Sequence, residues 1–312
     1  MLTTIIHRLD DFQGNRLYIK REDLIPFSFG GNKARKAELF FEEIDRGAYD
    51  CVVTYGSGSS NHCRIVANEC CGRGIPCHII SPKEASEQTF NSQMMALFDA
   101  EITVVPVQSV HDTIENKLSE LKVSGRKPYF IPGGGHGNLG TEAYVRCYEE
   151  IRQFESEQHI HFDDIFFASG TGTTQAGLIC GKLMHRDEGQ IIGISIARKN
   201  PRGRNVLLQS VRDYLTEHAF EIPENDIQSA TIFLDDFTAD GYGKDHPGIT
   251  DTIHNVMCRY GVPLDRTYTG KAFYGMGQFL NMSNTHGKTV LFLHTGGTPL
   301  FFDELRRWDE KQ

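Results

Sequence analysis

The sequence predicts an α/β fold with mainly parallel sheets covered by helices on both faces. Three observations predict it. Short β-rich runs alternate with stretches of helical periodicity along all 312 residues. Most of those runs are continuously apolar rather than alternating, as strands buried on both faces are. Glycine clusters stand at Gly30–Gly31, Gly56–Gly58, Gly133–Gly137, Gly170–Gly172 and Gly296–Gly297, and four of the five directly follow a strand-like run. Open α/β sheets bind their ligands at that end of the strands.

The elements follow in order. Ala37, Phe40, Phe41 and Ile44 recur at i, i+3, i+4 and i+7, which makes a helix that Gly47 can close. Cys51–Tyr55 and Cys77–Ile80 read as strands, residues 87–98 as a helix, Ile102–Val107 as a strand and residues 109–122 as a helix. Strand Pro128–Ile131, helix 140–155, strand Ile165–Ala168 and helix 174–185 continue the alternation, followed by strands at Ile191–Ile196, Thr231–Leu234 and Thr289–His294. The charged tail Asp303–Gln312 reads as a solvated helix anchored by Trp308.

Composition narrows the function. Hydrophobic residues make up 39% and charged residues 23%, and no apolar run approaches the ~18–20 residues that span a bilayer. The first residues lack a long apolar core and meet Asp10 and Asp11 at once, so neither a signal peptide nor a membrane partner is expected. A net charge of −9 argues against nucleic acid, which needs a basic face, but leaves room for a local anion site. The eight cysteines form no Cys-x-x-Cys pair and read as reduced thiols of a cytoplasmic protein. His78, His159, His161, His218 and His254 have no carboxylate or cysteine constellation in the sequence, so no metal is expected. His62, His136 and His294 sit in the glycine loops and are candidates for substrate contact.

Three motifs carry chemistry. Ser169-Gly-Thr-Gly-Thr-Thr-Gln175 follows a strand and opens a helix near Gln175, so its free backbone N–H groups and hydroxyls can cradle an anion. It lacks the Gly-Lys-Ser/Thr ending of a nucleotide loop and the third glycine of a dinucleotide loop, so a lone phosphate fits it better. Phe29-Gly-Gly-Asn-Lys-Ala-Arg-Lys36 puts Lys33 at the start of an amphipathic helix, where the helix dipole lowers an ammonium pKa and suits the amine to attack a carbonyl. In Tyr55-Gly-Ser-Gly-Ser-Ser-Asn-His62 the small donors Ser59, Ser60 and Asn61 either cap a helix or hold a carboxylate.

Together these motifs resemble the fold-type II pyridoxal-phosphate enzymes, and more narrowly the 1-aminocyclopropane-1-carboxylate deaminase/D-cysteine desulfhydrase family. The resemblance is carried in order by Leu17–Asp23, Gly30–Lys36, Gly58–Arg64, Gly170–Gly177, Tyr268–Lys271 and Leu293–Pro299. It implies a tryptophan-synthase-β-like fold of two three-layer αβα domains. The large one comprises residues 1–35 and 140–312, the smaller mobile one 36–139. It also implies pyridoxal 5′-phosphate as cofactor. Lys33 would condense with the cofactor aldehyde and then shuttle the α-proton. Lys36 would sit by the phosphate with the loop of Gly170, Thr171, Gly172, Thr173 and Thr174. Asn61 would bond the ring oxygen, Thr269 would partner the pyridine nitrogen, and Tyr242 and Tyr268 would be the active-site tyrosines. Ser59, Ser60, Asn61 and His62 would hold the substrate.

Thr269 departs from the deaminase branch, which carries a glutamate there. A neutral hydroxyl favours a less protonated ring and a weaker electron sink, which still suffices when a β-leaving group departs at once. The expectation is therefore α,β-elimination from a D-cysteine-like amino acid in a cytoplasmic homodimer. Cyclopropane deamination and β-replacement are the alternatives.

Overall fold

The computed structural model describes residues 3–309 apart from 240, 242 and 245, without the side chains of 308 and 309, so the expected Trp308 anchor lies outside the described residues. The chain opens with an antiparallel hairpin of β1 (Ile6–Phe12) and β2 (Asn15–Arg21). Gln13 and Gly14 turn it with φ of 51° and 76°, the backbone whose twist matches paired strands. Arg8, Asp10 and Asp11 are exposed on β1. A charged edge strand does not read as a strand, which is why the hairpin is absent from the sequence reading.

A four-stranded sheet follows, built from β3 (Cys51–Tyr55), β4 (Cys77–Pro82), β5 (Glu101–Val105) and β6 (Pro128–Ile131) in the order β5-β4-β3-β6, all parallel. The expected strand Ile102–Val107 stops at Val105, because Pro106 has no N–H to donate and Val107–Ser109 tightens into a 3₁₀ turn. One face of this sheet packs on α1 (Asn32–Arg46), α2 (Asn61–Arg73) and α3 (Phe90–Leu97) through Phe40, Phe41, Ile65, Val66 and Met95; the other face packs on α4 (Val110–Val123) through Ile114 and Leu121.

The second sheet has the order β1-β2-β10-β7-β8-β9, with β7 (Asp164–Ser169), β8 (Gln190–Ser195), β9 (Ile232–Leu234) and β10 (Thr289–His294). Every pairing in it is parallel except the hairpin. Ile165 and Phe167 face α5 (Asn138–Gln158), α6 (Thr173–His185), α7 (Arg202–Glu217) and α8 (Glu224–Ala230). Phe166 and Ala168 face the opposite layer of α9 (Pro247–Tyr260), α10 (Thr269–Met282) and α11 (Thr298–Asp309). Alternate residues of one strand are thus buried on opposite faces, which explains the continuous apolar runs.

A buried ionic cluster holds α1 in place. Arg35 donates to Glu22 at 2.6 and 2.8 Å and to Glu150 at 2.6 and 3.1 Å, while Lys20 donates to Glu150 at 2.7 Å. Burial alone would push the Glu22 carboxyl up, but Arg35 and Lys20 more than offset it and bring it down to about 2. The cluster ties β2, α1 and α5 together two residues along α1 from Lys33.

Candidate active site

The carboxyl ends of β3, β6, β7, β8 and β10 converge with the N-termini of α1 and α2 on a cavity of about 320 Å³. Residues of both sheets line it, which fits the size and position of a small-molecule site.

Lys33 reaches this cavity because two backbones touch. Gly31, the N-cap of α1, has φ of 97°, and a Cβ there would lie 2.9 Å from the Thr295 carbonyl oxygen. A Cβ on Gly296 would lie 2.5 Å from the Gly31 Cα. Only glycines allow that approach. The Lys33 amine donates to the Gly134 carbonyl at 3.1 Å, and burial pulls its pKa down to about 8. One turn on, the Lys36 amine is fully buried and has no hydrogen-bond partner among the described residues; burial, and then the charge of Lys33, hold it well below the usual lysine range.

The loop after β7 places Gly170 and Thr171 on the cavity wall, with Thr173 and Thr174 buried behind. Thr174 accepts from Asn32 at 3.0 Å, and the Thr173 hydroxyl is buried with no hydrogen-bond partner among the described residues. The helix opens at Thr173, two residues before the expected Gln175.

At α2, Ser60 caps the helix by accepting from the Cys63 N–H at 3.1 Å. His62 lies beside Thr54. The Thr54 hydroxyl donates to the Ile131 carbonyl at 2.7 Å, so its oxygen accepts from His62 Nε2 at 2.9 Å. Burial, with Lys33 and Lys36 nearby, pulls His62 down to about 3, so this imidazole is neutral and its Nδ1 is an acceptor.

The cavity wall thus gathers Lys33, Ser60, Asn61, His62, Gly170, Thr171 and Tyr268 from the sequence reading. Lys36, Ser59, Gly172, Thr173, Thr174 and Thr269 lie off it. Tyr242 lies outside the described residues. Thr269 is fully buried and its hydroxyl donates to Asp265 at 2.9 Å. That carboxylate also accepts the backbone N–H groups of Thr267, Tyr268 and Thr269. Thr295, beyond the end of β10, is a threonine that does line the cavity.

His136 and His294 also turn away, toward Ser210 Oγ at 3.3 Å and the Pro263 carbonyl at 2.7 Å. Three further histidines correct the sequence reading, of which His254 has its Nε2 3.6 Å from Cys258 Sγ. His78 lies 3.0 Å from Glu101, and His161 lies 3.2 Å from Glu155 and 3.7 Å from Asp187. Arg152 already pairs with both of the latter carboxylates, at 2.8 and 2.9 Å. All eight cysteines are free thiols.

Sequence reasoning missed Arg198, which stands on the wall just beyond β8 and donates to the Thr171 carbonyl at 3.0 Å. No glycine marks that loop; only the rule that ligands gather beyond strand ends could have found it. None of the described residues lining the cavity is Asp or Glu. A buried unpartnered amine, an unpartnered hydroxyl and a helix N-terminus together want an anion. A second amine beside them, of lowered pKa, wants a carbonyl. A phosphorylated aldehyde satisfies both.

Comparison with known proteins agrees with this chemistry. A D-cysteine desulfhydrase of Yersinia enterocolitica is 32% identical over 308 residues, covering 95% of this chain and 91% of the relative. A D-cysteine desulfhydrase of Serratia proteamaculans is 30% identical over 310 residues with the same coverage. The crystal structure of an ACC deaminase homologue, 29% identical, superposes with a TM-score of 0.88 over 98% of this chain and 94% of its own. Among the described residues no helix is long and apolar enough to cross a membrane. Residues 3–296 match the family described as pyridoxal-phosphate dependent enzyme, and the chain belongs to that family.

Proposed function

We propose that this protein is a pyridoxal-phosphate-dependent lyase that performs α,β-elimination on a small β-substituted amino acid of the D-cysteine kind. With D-cysteine and water the products are pyruvate, ammonia and hydrogen sulfide. The observation that carries this reading is the pair of amines at the start of α1, Lys33 at the cavity and Lys36 buried with no hydrogen-bond partner among the described residues. Similarity to two D-cysteine desulfhydrases over nearly the whole chain supports the substrate class.

Bound pyridoxal phosphate supplies an electron sink for negative charge at the substrate α-carbon. Lys36 and the loop Gly170–Thr174 would hold its phosphate, Lys33 its aldehyde carbon, and Asn61 its ring oxygen. Lys33, with its pKa near neutrality, can then take the α-proton and return it, as general bases tuned by burial do. The N-terminus of α2, with Ser59, Ser60 and Asn61, would bind the substrate carboxylate. His62 cannot act as an acid near neutral pH and serves as an acceptor. We assign to Tyr268 the proton that leaves with the β-substituent, with Tyr242 as its companion. The absence of any Asp or Glu from the described cavity wall favours elimination over cyclopropane opening, because a ring nitrogen without an acidic partner is a weaker sink.

We further assign residues 36–139 to a smaller unit that moves against residues 1–35 and 140–312. A homodimer and a cytoplasmic location belong to the same reading, on the strength of the resemblance. The test is to reconstitute the purified chain with pyridoxal phosphate, record its visible absorbance, and offer D-cysteine, L-cysteine, D-serine and 1-aminocyclopropane-1-carboxylate in turn. Pyruvate and sulfide from D-cysteine, both lost in Lys33→Ala, are expected. Release of 2-oxobutyrate from the cyclopropane compound would overturn the assignment.

A further inference from the structure

Behind Asn61, away from the cavity, lies a closed hydrogen-bonded ring of side chains that the reaction itself does not use. Arg64 Nη1 donates to Asn61 Oδ1 at 3.2 Å and to Asn91 Oδ1 at 3.1 Å. Asn91 Nδ2 donates to Asn61 Oδ1 at 2.9 Å and to the Ser59 carbonyl at 2.8 Å. Arg64 and Asn91 are both fully buried.

The polarity of this ring follows from chemistry alone. A guanidinium can only donate and a backbone carbonyl can only accept. Arg64 therefore fixes Oδ1 of both asparagines on its own side, and Ser59 independently fixes Nδ2 of Asn91. Asn61 Oδ1 then holds two donors, and its Nδ2 faces the other way.

We propose that Arg64 and Asn91 are positioning residues: they hold the Asn61 amide with its N–H face toward the cavity, so that Asn61 meets the cofactor as a donor. This rests on the cofactor reading above.

The placement of Arg64 is costly, which is why a role is needed. It sits in the first turn of α2, where the helix dipole disfavours a cation. Its Nε and Nη2 have no hydrogen-bond partner among the described residues, and the centre of the Phe29 ring lies 6.0 Å from its Cζ. Burial pulls the guanidinium down to about 9. A neutral residue would pack there at lower cost, but a third amide could flip together with the other two. A group without an acceptor cannot. Asn91 comes from α3, whose N-cap Thr89 also donates to the Gly58 carbonyl at 2.8 Å, so α3 braces the whole loop before α2.

The experiment compares wild type, Asn91→Asp, Arg64→Lys, Asn61→Ala and the double variant Asn61→Ala/Asn91→Asp. Each is reconstituted with pyridoxal phosphate, and two quantities are read: the pH titration of the visible absorbance band and the cofactor Kd. Aspartate at 91 only accepts, so Asn61 Oδ1 loses one of its two donors and faces a carboxylate oxygen instead, which favours turning its Nδ2 back and presenting oxygen to the cavity against the remaining hold of Arg64. A donor to the ring oxygen weakens that oxygen's hold on the proton responsible for the band, so losing the donor moves the titration up. The expected result for Asn91→Asp is an upward move of about one pH unit and a Kd raised roughly tenfold. Arg64→Lys, which keeps the charge but cannot bridge both oxygens, moves both readings the same way by less. In the Asn61→Ala background the Asn91→Asp change adds almost nothing, because the two act through one atom. A merely structural role predicts a lowered melting temperature with the titration unmoved. Unmoved titrations in both single variants, or additive effects in the double, overturn the inference while leaving the enzyme reading standing. A wild-type chain without the band overturns both.

Discussion

Replacing Lys36 with methionine keeps an unbranched chain of nearly the same length in the same buried space and removes the charge at its end. Lys36 is only 1% exposed, its amine makes no hydrogen bond among the described residues, and the centre of the Tyr144 ring is 5.8 Å from it. In the cofactor-free protein that amine is a buried polar group with nothing to satisfy it, which costs about 1–3 kcal/mol. Methionine relieves the cost. At about 2 °C per kcal/mol for a chain of this size, the cofactor-free melting temperature should rise by about 2–6 °C.

The cofactor-bound protein should move in the opposite sense. There Lys36 loses a charge-assisted bond to phosphate, worth about 1.5–3 kcal/mol, so the Kd for pyridoxal phosphate should rise roughly 10- to 150-fold. Thermal melts with and without cofactor, together with a fluorescence titration, read both quantities on one preparation. The stabilisation that added cofactor confers should shrink with the weaker Kd. A variant that melts lower without cofactor yet binds it as wild type does would refute the reasoning. Lys36 would then be a packing residue, and the anion site would lie elsewhere.

Two more predictions follow from the other titrating groups. With Lys33 at about 8, roughly one molecule in ten carries the neutral, nucleophilic amine at pH 7, against about three in ten thousand at the ordinary 10.5. Rapid mixing of cofactor-free protein with pyridoxal phosphate should therefore show capture accelerating about tenfold per pH unit below 8 and levelling above it; a midpoint near 10 would mean that burial leaves the amine unshifted. Glu22, held at about 2 in the folded chain against 4.5 in the free side chain, binds its proton more readily when unfolded. Its contribution is full above pH 4.5 and fades as pH falls toward 2. Glu22→Gln should lower stability by about 3 kcal/mol at neutral pH and flatten that acid limb in denaturation curves; an unchanged limb would exonerate the cluster.

How much of this was legible in the sequence depended on whether one strand or one loop carried the signal alone. Parallel strands buried on both faces announce themselves as apolar runs, and all eight expected strands are present to within two residues at either end. β1, an edge strand with Arg8, Asp10 and Asp11 exposed, carries no such run. The glycine loops were legible for a steric reason: Gly31 and Gly296 must be small to let β10 abut α1, and the need is visible whatever the rest of the fold. Arg198 was hidden because its loop needs no close approach.

Thr269 shows the limit most sharply. Position in a motif identified the neighbourhood, but not where its hydroxyl points. Asp265, four residues earlier, captures that hydroxyl and three backbone N–H groups besides, and so anchors the N-terminus of α10. A threonine whose hydroxyl donates to a buried carboxylate has its proton engaged there. Thr295, which does line the cavity, lies on a strand end that the sequence offered only as part of a glycine motif. The weak-sink argument does not depend on this position, since none of the described residues lining the cavity is Asp or Glu. It survives on the composition of the whole wall rather than on one aligned position, and that makes it the stronger argument.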